Sequence, residues 1–93
     1  MITVERVSDA PLTFEVSVRE GGSETRHRVT MADGMVAQLG QGQFTPEQCI
    51  EASFRFLLDR EPKESILREF DVAVIARYFP EYEAELPRYL SDR

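Results

Sequence analysis

Apolar and polar residues alternate from Leu12 to Arg19. Leu12, Phe14, Val16 and Val18 interleave with Thr13, Glu15, Ser17 and Arg19. Period two marks a strand with one buried face. Gly21-Gly22 follows, and glycine supplies the positive φ angles of a two-residue hairpin loop. With those two residues as the loop, Val18 meets Thr25, Val16 meets His27, Phe14 meets Val29 and Leu12 meets Met31. The same register sets Arg19 against Glu24 and Glu15 against Arg28 on the other face. Each opposite-charge pair contributes roughly 0.2–1 kcal/mol. A one-residue slip would scramble both faces, so the register is well specified. Ile2–Val7 predicts a third strand, joined through Ser8-Asp9-Ala10-Pro11.

Past Met31 the spacing changes to three and four. Asp33–Leu39 predicts a short helix with Asp33 as its N-cap, broken by Gly40-Gln41-Gly42-Gln43. Thr45-Pro46-Glu47-Gln48 is the clearest helix start, with Thr45 as N-cap, Pro46 at the first helical position and Gln48 completing a capping box. That helix is expected to reach about Asp59. Pro62 opens a further helical segment with Ile66, Leu67 and Phe70 facing inward. Asp71 would cap another, bearing Val72, Val74, Ile75, Tyr78 and Phe79. Pro80 begins a last segment with Tyr82, Leu86, Tyr89 and Leu90 inward, kinked or ended by Pro87. Strands first and helices after describe an α+β fold. The expectation is a single domain over residues 1–93: an N-terminal antiparallel β-hairpin or three-stranded meander, then three to four short helices packed on one face.

Composition narrows the function classes. Of 93 residues 42% are apolar, which suits a thin globular core rather than disorder. The net charge is −6, concentrated after residue 31, where seven bases face twelve acids. A negative surface repels phosphates, which argues against nucleic acid and anionic membrane as partners. Arg26 and Arg28 on the hairpin do not change that, because Glu15 and Glu24 offset them. No apolar run approaches the ~20 residues of a membrane span. The N-terminus lacks a basic-then-apolar leader pattern, and the single cysteine, Cys49, has no disulfide partner. These features predict a cytoplasmic protein.

The run Cys49–Leu67, with Phe54-Arg55-Phe56-Leu57-Leu58-Asp59-Arg60-Glu61-Pro62-Lys63-Glu64-Ser65-Ile66-Leu67 at its heart, resembles a family of small uncharacterised bacterial proteins. Phe70-Asp71-Val72 and Tyr78-Phe79-Pro80-Glu81-Tyr82 resemble its later motifs. The resemblance covers the C-terminal half and implies no activity, cofactor or site residues.

Candidate chemistry is sparse. Cys49 and His27 are the only thiol and imidazole. Catalysis would need them within hydrogen-bonding reach, and a buried structural role is the expectation for both. Glu81, Glu83 and Glu85 are two apart, so they share no helix face and no metal site is expected. Gly40-Gln41-Gly42 lacks the residues of a phosphate loop. No cofactor is expected. The junction Arg60–Ser65 is a candidate anion site, in which Arg60, Lys63, Ser65 and Arg68 would take a phosphate or carboxylate at a helix N-terminus. Phe56 lies almost opposite Phe54 on its helix, so a second element or a partner chain must cover it. The leading expectation is a non-enzymatic accessory or protein-interaction module, self-associating or binding another protein. Binding of a small anion at the Arg60–Ser65 junction is the alternative.

Overall fold

The structure, a computed structural model, describes residues 1–91. Three antiparallel strands open the chain: β1 (Ile2–Asp9), β2 (Leu12–Glu20) and β3 (Ser23–Thr30). Two helices follow, α1 (Asp33–Gly40) and α2 (Pro46–Leu58). A 3-10 turn at Lys63–Ser65 leads to a short strand β4 (Glu69–Asp71), then α3 (Ala73–Tyr78) and α4 (Tyr82–Ser91). The fold is α+β, with the N-terminal meander followed by four helices.

The hairpin register is the one that apolar alternation predicts. Val18 pairs with Thr25, Val16 with His27 and Phe14 with Val29. Beyond the last pair, the Met31 N–H donates to the Leu12 carbonyl at 3.0 Å. Gly21 and Gly22 adopt φ of 62° and 79°, the left-handed conformation that a two-residue loop requires. On the solvent face Arg28 meets Glu15 at 2.8 Å and Arg19 meets Glu24 at 3.4 Å. The inner face carries Phe14, Val16, Val18 and Val29, all buried in one core with Ile50, Phe54 and Leu57 of α2.

α2 starts as its sequence dictates. Thr45 Oγ1 accepts from the Gln48 N–H at 3.1 Å, and Gln48 Oε1 accepts from the Thr45 N–H at 2.8 Å. Pro46 occupies the first helical position, where its missing N–H has no intrahelical partner to lose. Arg6 of β1 grips Glu47 with two hydrogen bonds, at 2.9 and 3.1 Å, which ties the helix start to the sheet. That pairing holds the Glu47 carboxyl below its usual range.

Past Met31 the chain departs from expectation at three places. α1 is capped by Ala32, whose carbonyl accepts from Met35 and Val36, so Asp33 lies inside the first turn and makes no cap bond. The helix expected after Pro62 is a single 3-10 turn followed by extended chain. β3 supplies the reason. Its exposed edge carries backbone groups that need partners, and residues 68–72 meet that need as a parallel fourth strand. The sheet order is therefore β1-β2-β3-β4, a mixed sheet in which α1 and α2 form the crossover that parallel strands require. Leu67 and Tyr78, both expected inward, are 49% and 68% exposed. Of the two outcomes expected at Pro87, a kink or an end, the end does not occur: α4 runs on to Ser91. Pro87 and Glu83 are both exposed, so the missing hydrogen bond is not sealed in the core. Asp71 does serve the start of α3, its Oδ1 accepting from the Ala73 N–H at 2.9 Å.

Candidate functional site

Phe56 is fully buried, and α4 is the element that covers it. Its ring meets Phe79, Tyr82 and Tyr89 edge-on, with centroids 5.9, 5.2 and 5.8 Å away. Arg60 closes the cage, its guanidinium carbon 3.7 Å from the Phe56 centroid. Such a cation over a ring contributes about 0.5–2 kcal/mol. The same guanidinium donates to the Phe56 carbonyl at 3.1 Å, to Tyr89 Oη at 3.4 Å and to Glu81 at 3.0 Å. Tyr89 in turn donates to Asp59. Phe56 thus needs no partner chain.

Of the cations expected to take an anion, Arg60 and Lys63 are each paired with an acid. Lys63 is 6% exposed and its ammonium pairs with Glu64 at 2.8 Å. That contact holds the Glu64 carboxyl below its usual range. Ser65 and Arg68 are exposed. Arg68 contributes its backbone rather than its side chain to the fold: its carbonyl accepts from the Arg28 N–H at 2.7 Å. The turn at Lys63–Ser65 spans three residues, too short for a helix dipole to develop.

Cys49 and His27 have separate structural tasks. Burial pushes the Cys49 thiol up, away from the reactive thiolate. His27 Nδ1 lies 2.8 Å from the Leu67 carbonyl, which can only accept, so this nitrogen carries the proton. In the neutral ring Nε2 then accepts from the Thr25 hydroxyl at 2.9 Å. Both nitrogens are committed, and neither serves Cys49 as a base. The ring also packs against Phe54 at 5.3 Å. Beneath α4, Ser53 donates to the Cys49 carbonyl at 2.7 Å, which leaves Tyr82 to donate to Ser53 Oγ at 2.6 Å. Burial pushes the Tyr82 phenol well above its usual range.

A mainly apolar groove of about 250 Å³ lies between the end of α2, β4 and α3. Leu57, Ile66, Phe70, Ile75 and Phe79 form its apolar walls, with Leu67, Tyr78, Ser65 and Glu61 completing its lining. Two of the four large apolar side chains exposed among the described residues, Leu67 and Tyr78, sit at this one place. Glu61 makes no ion pair among the described residues, and burial raises its carboxyl above the usual range. Sequence reasoning missed this site by placing Leu67 and Tyr78 in the core. The available signal was adjacency. In Ile66-Leu67 two apolar neighbours follow one another, and in an extended segment both cannot face inward.

Among the described residues no helix is long and apolar enough to cross a membrane, and no three His, Cys, Asp or Glu side chains gather as metal ligands. No family model matches the chain, and no curated protein and no solved structure matches it.

Proposed function

We propose that this chain is a non-enzymatic interaction module that receives an apolar segment of another protein in the groove between α2, β4 and α3. The observation that carries the reading is the coincidence of an open apolar groove with Leu67 and Tyr78 exposed beside it. Its volume of about 250 Å³ is below the ~300–1,000 Å³ of small-molecule pockets. One or two partner side chains fill it. Exposed apolar surface gathered at one place is a mark of an interaction site, whereas single exposed apolar residues need no explanation. The −6 charge keeps the chain soluble despite this patch and disfavours a second copy as occupant.

The test is a comparison of proteins retained from the source cell by three immobilised chains. These are the native chain, a Leu67→Ser/Tyr78→Ser double variant, and a Val7→Ser control. Val7 is also exposed but lies on β1, at the opposite edge of the sheet. The groove reading expects a partner held by the native chain and the control and lost by the double variant. Equal retention by all three would overturn it.

A further inference from the structure

We propose that the occupant of the groove is an extended segment of alternating basic and apolar residues, added to β4 as a fifth strand. This rests on the groove reading and names the chemistry of the partner.

β4 is the outer strand of the sheet. The Arg28 N–H donates to the Arg68 carbonyl at 2.7 Å, and the Val72 N–H donates to the Thr30 carbonyl at 2.9 Å. In a parallel ladder with Arg28 level with Glu69 and Thr30 level with Asp71, residues 68, 70 and 72 turn their backbone toward β3. Glu69 and Asp71 therefore turn their N–H and C=O groups outward, where no described strand pairs with them. An edge of this kind is a template for a strand from another chain.

Side-chain alternation joins that edge to the groove. Phe70 faces the helical layer, its ring 6.0 Å from Phe54, and lines the groove. Its neighbours Glu69 and Asp71 lie on the opposite, solvent face. A strand added beside β4 follows the same pleat. Every second residue of it then lies over the groove, and the intervening ones stand beside Glu69 and Asp71.

Charge selects the residues. Glu15, Arg28 and Glu69 occupy one row across β2, β3 and β4, with Arg28 already paired to Glu15. The next strand places a cation beside Glu69 to continue the alternation. Glu61, which makes no ion pair among the described residues, adds a carboxyl group on the groove side. Asp71 is held by the Thr30 hydroxyl at 2.6 Å and by the Ala73 N–H. The same carboxylates turn away a second copy. Two β4 strands paired antiparallel about Phe70 would set each Glu69 against the other's Asp71, and like charges directly opposite are unfavourable.

The experiment is selection of a random displayed peptide library on the intact chain. Enriched peptides that alternate basic and apolar residues are expected. Their affinity should fall about tenfold or more in Glu69→Pro. That change removes one outward N–H and leaves the bonds to β3 in place. Glu69→Lys, which does not constrain the backbone, should shift the enriched residue beside it from basic to acidic. Apolar peptides without alternation, bound equally by the native chain and both Glu69 variants, would overturn the added strand and leave the groove reading standing. Enrichment no greater than on Leu67→Ser/Tyr78→Ser would overturn both. A dimer in light scattering that Glu69→Pro dissociates would assign the edge to a second copy and overturn the inference.

Discussion

The two faces of the C-terminal end of α2 show how one helix with apolar residues on two sides is accommodated differently. At the α4 seam, Phe56 is enclosed by three aromatic rings and roofed by Arg60, and every polar group named there has a partner. At the β4–α3 corner, Leu57 and Phe70 end in a groove flanked by exposed Leu67 and Tyr78, with the Glu61 carboxyl unpaired among the described residues. α4 spans ten residues and lies against α2, whereas α3 has six and β4 three. Short elements cannot cover as much apolar surface. The seam accordingly serves stability, and the corner keeps unsatisfied surface of the kind a binding site needs.

Substitutions sharpen this contrast. Phe56→Ala empties the seam and should cost ~3–5 kcal/mol, enough to unfold a large share of a domain this size. Urea denaturation followed by circular dichroism measures it, and a loss below about 1 kcal/mol would break the seam–corner distinction. Arg60→Met retains apolar bulk but strips the Phe56 carbonyl, Tyr89 and Glu81 of their donor. A loss of about 1–3 kcal/mol is expected in the same assay.

At the corner the signs differ. Leu67→Ser and Tyr78→Ser should each leave the unfolding free energy within ~0.5 kcal/mol of native, since both side chains are exposed. The smallest effect belongs to Glu61. Burial raises its carboxyl in the folded chain, so its contribution to stability is fully present in acid and is lost as pH rises through that raised value. Glu61→Gln stays neutral throughout. Thermal melts should therefore show the variant slightly more stable than native at neutral pH, with the gap closing below about pH 4. Glu47 behaves oppositely: Arg6 lowers its carboxyl, and the stability it contributes is lost as pH falls. Glu47→Gln should lower the melting temperature at neutral pH and converge with native in acid.

Much of the first half was legible because its signals are local. Alternation from Leu12 to Val18, the Gly21-Gly22 loop and two cross-strand ion pairs all require one register, so independent constraints agree. The start of α2 was equally readable, because Thr45, Pro46 and Gln48 act on neighbours within one turn. Of the candidate site residues, Phe56 was correctly read as needing cover, but which element supplied it was not readable. Arg60 and Lys63 look like available cations in the sequence, but each has an acid partner inside the chain.

The sequence by itself determined the β2–β3 hairpin, its register and the first turn of α2, where the partners of each residue are few and near in the chain. Tertiary structure alone decided the fate of residues 62–72. Their three-to-four spacing suits a helix, but the β3 edge offered backbone hydrogen bonds to residues 68–72 and His27 anchored the Leu67 carbonyl. Such long-range partners leave no periodicity in the segment that meets them. The choice of strand over helix turned Leu67 outward and opened the groove on which the proposed function rests.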